Sequence, residues 1–214
     1  MIKAVIFDMD GVIVDSEPLQ YEAYKEVFTA HGAAITKREF IELWVGRGSK
    51  LHEHIVRHGL GVGLEEVRLS KKTIYDRLVR EKMQLRSGVL GLIKRLSREM
   101  KTALASSAHP DSVEVVLERF DLRGLFDVIL TGGDVEQNKP HPEIYLKAAE
   151  RLKVKPAECL VFEDSASGIA AAKDAGMRVI ALPHEYTISQ DLSRADLIIT
   201  DLRNLRLRLK INRG

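Results

Sequence analysis

Ala4-Val5-Ile6-Phe7-Asp8-Met9-Asp10-Gly11 is the stretch that decides the fold. Four apolar residues run without alternation and then meet two acids. A short continuous apolar run of this kind reads as a strand buried on both faces, as in a parallel sheet. Similar runs recur at 102–105, 127–130, 160–162 and 179–182, with a weaker one at 197–199. Helical patterns lie between them. Val113, Val116, Leu117 and Phe120 fall at helical spacing, and the 89–96 pattern leads into the 102–105 run. The stretch 142–152 opens on Pro142, which suits a first helical turn. The Ala-rich stretch 165–175 stops at Gly176, a suitable residue just past a helix end. Strands that alternate with helices imply βαβ units and right-handed crossovers. The expected fold class is therefore α/β, with a Rossmann-like doubly wound parallel sheet as the core.

One segment breaks this rhythm. No strand pattern occurs between the first run and the one at 102–105, whereas 19–31, 38–43, 49–58 and 64–83 read as helical. The expectation is a helical cap domain inserted after the first strand. It spans residues 17–84, with the catalytic core formed by 1–16 and 85–214 and hinges near Ser16 and Ser87-Gly88.

Composition sets bounds on function. The chain has 214 residues, 45% of them hydrophobic and 30% charged, which is a globular and not a disordered balance. Lys and Arg number 33 against 31 acids, a net charge of +2, so no global field favours nucleic acid or an anionic membrane. The single cysteine, Cys159, excludes an internal disulfide framework and a Cys-based zinc site, and reads as a small buried hydrophobe. No apolar run approaches the roughly 18 residues needed to span a bilayer. Asp8 arrives too early for a signal-peptide core. These features lead to the expectation of a soluble, cytoplasmic protein; a monomer or weak homodimer is the further expectation.

Ligands of a doubly wound sheet bind outside the carboxyl ends of its strands. Here those ends carry Asp8-Met9-Asp10-Gly11, Ser106-Ser107 and Glu163-Asp164-Ser165, with Lys139-Pro140 in the loop after the 127–130 run. Asp8 and Asp10 are two apart and share a side of an extended chain. Taken singly, an acid after a strand is as readily a turn or cap residue, and Asp164 or Ser165 could cap the following helix. Four carboxylates converging on one crevice either raise one another's pKa values or bind a cation. Oxygen donors without nearby Cys or His favour Mg²⁺, which commonly accompanies phosphate chemistry. Lys139 and the Ser106 hydroxyl then supply charge and hydrogen bonds to an anionic substrate.

In their order along the chain these groups resemble the four motifs of the haloacid dehalogenase superfamily. Asp15-Ser16-Glu17-Pro18-Leu19 and the helical insertion resemble the subgroup of β-phosphoglucomutase and small phosphosugar phosphatases. The resemblance implies Asp8 as nucleophile and Asp10 as general acid and base. It also implies Ser106 and Ser107 on the phosphoryl group and Lys139 as the neutralising cation. Mg²⁺ would be held by Asp8, Asp10 through its backbone carbonyl, and Asp164, with Glu163 as a further ligand or as a partner behind the ligands. The tip Val45-Gly46-Arg47-Gly48-Ser49-Lys50 resembles the substrate-specificity loop, which makes Gly46, Arg47 and Lys50 candidate substrate contacts. Lys71 aligns near a cap lysine of the sugar-phosphate mutases. The resemblance thus implies a Mg²⁺-dependent phosphatase for a small phosphorylated metabolite, a sugar phosphate foremost.

A phosphomutase is the alternative. Gln20 stands where many members have His, and Ser49 where the mutase has Arg, and both departures favour hydrolysis. A dehalogenase has no use for Asp10 or for the Glu163-Asp164 pair. A receiver-like module is shorter and lacks an insertion, and a non-catalytic phosphate-binding protein leaves the nucleophile and acid/base pair unexplained. Gly59-Leu60-Gly61-Val62-Gly63 follows no strand and is not a dinucleotide fingerprint. His52, His54 and His58 read as cap surface, Trp44 as cap core, and the basic stretch 203–213 as a solvated tail.

Overall fold

The computed structural model describes residues 1–45 and 50–202. In chain order the elements are β1 (Ala4–Phe7), α1 (Glu17–Ala30), α2 (Lys37–Glu39), α3 (Leu51–Arg57), α4 (Leu64–Lys82), α5 (Val89–Leu96), β2 (Lys101–Ala105), α6 (Pro110–Arg119), β3 (Val128–Leu130), α7 (Glu143–Leu152), β4 (Cys159–Glu163), α8 (Ala166–Asp174), β5 (Arg178–Ala181) and β6 (Leu197–Ile198). A wider π-type turn, Phe40–Val45, follows α2 directly. No described helix is long and apolar enough to cross a membrane.

All six strands are parallel, in the order β3-β2-β1-β4-β5-β6. The chain builds outward from β1 to one side, then returns to β1's other edge with β4. That reversal makes the carboxyl end of β1 a topological switch point, where an open α/β sheet leaves a crevice. β1 is central, which is why Ala4, Val5, Ile6 and Phe7 are all fully buried and why its sequence lacks alternation. Ile144, Tyr145, Ala148, Ala149 and Leu152 of α7 join Ile169, Ala171 and Ala172 of α8 in the core on the sheet. The weak run at 197–199 is the edge strand β6, whose Leu197 and Ile198 are half exposed.

The chain divides into two compact units, one formed by Met1–Val14, Leu85–His184 and the chain from Gln190 onward, the other by Asp15–Gln84 with Glu185–Ser189. The expected core of 1–16 and 85–214 includes 185–189, which group with the helical segment here. In the core unit, β1 ends in a tight turn. Gly11 adopts a left-handed φ of 74°, and the Ile13 and Val14 N–H groups return to the Met9 carbonyl at 2.8 and 3.1 Å. Val14 bridges antiparallel to Leu85, and the Arg86 N–H donates to the Ile13 carbonyl at 2.9 Å.

The helical unit packs Val27, Phe28, Ile35, Ile55, Leu60 and Val67 into its own apolar cluster. Trp44 packs against that cluster, with ring centroids 5.3 Å from Tyr24 and 5.6 Å from Phe40. The expectation that His54 lies on the surface is corrected here. α3 is short and turns its His54/Ile55 face inward, so His54 is fully buried. Its ring stacks on Trp44 with centroids 3.3 Å apart, and neither ring nitrogen has a hydrogen-bond partner. His52 is exposed, and His58 pairs through Nε2 with Glu39 at 2.7 Å. The basic stretch 203–213 lies outside the described residues, as do Gly46, Arg47, Gly48 and Ser49.

Candidate active site

The sheet register brings the acids together. Phe7 of β1 pairs with Phe162 of β4 and with Leu104 of β2, so the next residues of all three strands emerge side by side. The Asp8 N–H donates to the Phe162 carbonyl at 3.0 Å, the last rung before the crevice. One ligand oxygen from each of Asp8, Glu163 and Asp164 lies within 4.8 Å of the others, and all three residues are buried. Asp10 lies two residues on, partly buried, and its charge acts on both Asp8 and Asp164.

Lys139 reaches this cluster from the loop between β3 and α7, next to a cis Lys139–Pro140 peptide. Its ammonium donates to Asp8 Oδ1, to Glu163 Oε1 at 2.8 Å and to the Ala105 carbonyl at 3.0 Å. All three of its protons are thus aimed at acceptors. The Lys139 side chain is 6% exposed, Asp8's 10% and Glu163's 1%, so these pairs are shielded from solvent.

Burial and charge divide the pKa values. Desolvation pushes Asp8 well above the usual carboxylate range, with Lys139 opposing and the other three acids reinforcing the rise. Asp164 rises for the same reason, desolvation first and repulsion from Glu163 next. For Glu163 burial also works upward, but Lys139 and the hydrogen bonds it accepts hold it below its ordinary value. Burial alone would lower Lys139, and the attraction of Asp8 and Glu163 overrides it, so the amine stays charged.

This donor set fits a hard divalent cation. The carboxylates offer only oxygen, and Lys139 does not neutralise the cluster, as the raised Asp8 and Asp164 values record. A cation between them would relieve that repulsion.

Local geometry explains the glycines. A Cβ on Gly11 would sit 2.2 Å from Asp164 Oδ2, and one on Gly168 would sit 1.7 Å from Glu163 Oε1. Both motif acids are therefore seated against backbone that admits no side chain. Ser165 caps α8, its hydroxyl accepting from the Gly168 N–H at 3.1 Å while donating to Glu163 Oε2 at the same distance.

The other sequence candidates have these positions. Ser106 is buried at the end of β2, its Oγ accepting from the Ala108 N–H at 3.1 Å. Ser107 is exposed, and its carbonyl lies against Gly132, where a Cβ would come within 2.6 Å. In the helical unit, Lys50 is exposed at the start of α3. Lys71 donates to Gln20 Oε1 and lies over the rings of Tyr75 and Tyr24 at 4.4 and 5.3 Å. Glu17, Gln20, Tyr24, Phe40, Trp44 and Val45 line a cleft of about 200 Å³ in that unit.

Two residues at the acidic cluster, His184 and Tyr145, and a third beside the Lys139 loop, Glu143, are not singled out by the sequence. His184 Nε2 lies 2.9 Å from Asp164 Oδ2, just beyond β5, and reading the end of the fifth strand like the others would have flagged it. The Tyr145 hydroxyl donates to Glu163 Oε1 at 2.9 Å. Tyr145 falls among the apolar positions of a helical stripe, and a buried phenol demands a partner. Glu143 accepts the N–H groups of Glu136 and Gln137 at 3.0 Å and pairs with Lys147 at 2.6 Å, bracing the loop that carries Lys139.

Residues 5–182 match the family model of haloacid dehalogenase-like hydrolases. The chain belongs to that family. Among relatives of this haloacid dehalogenase-like hydrolase, the phosphorylated carbohydrates phosphatase of Thermotoga maritima is 35% identical, over 92% of this chain and 93% of its own. Hexitol phosphatase B of Escherichia coli K12 is 34% identical, over 85% and 84%. The structure of CbbY from Rhodobacter sphaeroides in complex with phosphate superposes with a TM-score of 0.81 at 30% identity, covering 96% of this chain and 97% of that one.

Proposed function

We propose that this hydrolase is a Mg²⁺-dependent phosphatase of small phosphorylated metabolites, sugar phosphates foremost, that works through an aspartyl-phosphate on Asp8. The observation that carries this reading is the buried Asp8, held by a charged lysine at the switch point of the sheet beside two further acids. Asp8 attacks phosphorus and a new O–P bond forms. The bond from phosphorus to the substrate's ester oxygen breaks, and Asp10 delivers a proton to the departing alcohol. Asp10 then takes a proton from water, whose oxygen attacks the phosphoryl group and frees Asp8 and inorganic phosphate. Lys139 stays protonated throughout and offsets negative charge between Asp8 and the phosphoryl oxygens. Ser106 and Ser107 orient those oxygens. Asp8, Asp164 and the Asp10 carbonyl would hold Mg²⁺, which supplies further positive charge for the transferring group, while Glu163, whose oxygens already accept from Lys139, Tyr145 and the Ser165 turn, supports the ligands from behind.

The helical unit is read as the cap, spanning roughly 17–84, that selects the organic part of the substrate, with Gly46, Arg47, Lys50 and Lys71 as its contacts. Support comes from relatives named for phosphorylated carbohydrates and hexitols, and from the cleft that joins aromatic faces to Glu17 and Gln20. Such lining takes the CH face of a polyol on the rings and its hydroxyls on the polar groups. The enzyme is read as cytoplasmic, a monomer or weak dimer, with no nucleic-acid partner.

The test is phosphate release from a panel of phosphorylated sugars, sugar alcohols, nucleotides and glycolytic acids, with Mg²⁺ and with chelator. Turnover of sugar phosphates that chelator abolishes is expected. Activity indifferent to chelator would reject the metal, and activity that appears only with a bisphosphate would turn the reading toward a phosphomutase.

A further inference from the structure

Tyr145 is among the largest fully buried side chains of the chain, yet packing does not explain its hydroxyl. It lies in the first turn of α7, where Ile144, Ala148, Ala149 and Leu152 already supply apolar contact to the sheet. A phenylalanine would fill the same space. The hydroxyl instead donates to Glu163 Oε1 at 2.9 Å, and the ring lies under the Lys139 ammonium, 4.9 Å from centroid to nitrogen. One side chain therefore touches both partners of the buried ion pair, the acid through its edge and the cation through its face.

Glu163 shows what this contact controls. Its Oε2 accepts the N–H groups of Asp164 and Ser165 at 2.9 and 3.0 Å and the Ser165 hydroxyl at 3.1 Å. That oxygen is fixed by neighbouring backbone. Among the described residues, its Oε1 is shared by two donors, Lys139 and Tyr145. The two compete for the same lone pairs, and Lys139 divides its own donors among Glu163, Asp8 and the Ala105 carbonyl. Without the phenol, Oε1 turns its full charge on Lys139 and draws the ammonium away from Asp8.

We propose that Tyr145 is a positioning residue, which by occupying Glu163 Oε1 and backing Lys139 with its ring keeps the lysine charge centred on the nucleophile Asp8. This rests on the proposed function, in that Asp8 and Lys139 must carry the phosphoryl chemistry.

The experiment compares wild type with Tyr145→Phe in steady-state hydrolysis of the best sugar phosphate, alongside thermal melting of both proteins in chelator. Phenylalanine keeps the ring and the volume. The expected result is a kcat about 10-fold lower with KM changed less than about 2-fold and Tm nearly unchanged. Glu163→Gln and the double variant complete a cycle. If Tyr145 acts through Glu163, the Tyr145→Phe effect on kcat shrinks to less than about 2-fold in the Glu163→Gln background. A kcat within 2-fold of wild type for Tyr145→Phe, or equal effects in both backgrounds, would overturn the inference while leaving the phosphatase reading intact. A fall in Tm that accounts for the lost activity also overturns it, since the role is then packing. A wild-type protein inactive on every phosphate ester tested removes the proposed function, and this inference with it.

Discussion

In the core unit, the ion pairs of Lys139 with Asp8 and Glu163 join side chains that are all 10% exposed or less. In the helical unit, Arg77 and Glu26 pair at 2.9 Å with 45% and 41% of their side chains exposed, and Lys72 and Asp76 pair at 60% and 38%. Both units obey the same Coulomb law, but water screens one set and is excluded from the other. Buried polar groups in the helical unit are of another kind. His54 is buried, unpaired and pushed below its ordinary pKa chiefly by desolvation. The core thus buries a cluster of paired charges, whereas the helical unit fully buries an unpaired ring and leaves most of its ion pairs in water.

Predictions follow from that contrast in order of effect. Asp8→Asn lowers kcat by about three orders of magnitude or more while the protein still melts cooperatively, because an amide cannot accept the phosphoryl group. Substantial residual turnover would remove Asp8 as nucleophile. Lys139→Ala costs about 100-fold in kcat/KM and weakens competitive inhibition by inorganic phosphate, since the buried carboxylates lose their only paired ammonium among the described residues. In the helical unit, His54→Phe removes two unpartnered nitrogens and raises Tm at pH 5 by about 2–4 °C. The sign follows from linkage. A histidine whose folded pKa is depressed takes up its proton more readily when unfolded, so wild-type stability falls as pH drops below about 6.5. The gain from His54→Phe therefore shrinks at pH 8, and an equal gain at both pH values would contradict it.

Glu143 sharpens the same comparison from the core side. Lys147 first, then the Glu136 and Gln137 N–H groups, lower its pKa to about 2. Its contribution is present above the ordinary glutamate value near 4.3 and is lost as pH falls toward about 2. Melting curves of Glu143→Gln and wild type should converge over that acid range and separate at neutral pH. Arg77→Ala should leave Tm unchanged within measurement error. A loss there as large as that of Glu143→Gln would break the distinction between the two units.

The sequence carried the sheet well for a physical reason. A central parallel strand is buried on both faces, so 4–7 and 160–162 stand out as continuous apolar runs ending in acids. The same rule led to Asp8, Glu163, Asp164 and Lys139, because strand ends share one crevice. Contacts made across the fold were harder to see. Tyr145 lies in a helical stripe, and His184 follows a strand end that carries no acid, so His184 stands out only when every strand end is read and Tyr145 not at all. His54 was misread because on a short helix the face that turns inward is set by a distant Trp44. Residues 185–189 joined the helical unit through tertiary packing that no local pattern encodes.

The bridge between Val14 and Leu85, with the Arg86 N–H on the Ile13 carbonyl, has a modular consequence. The segment 15–84 leaves and re-enters the core at adjacent points, so to the sheet it is a single long hairpin loop. Such a junction works as a cassette port. Because Val14 and Leu85 are already paired, the gap that the segment bridges is one that a short turn could also span. Changes confined to the inserted segment then leave the strand ends that carry the acids as they are.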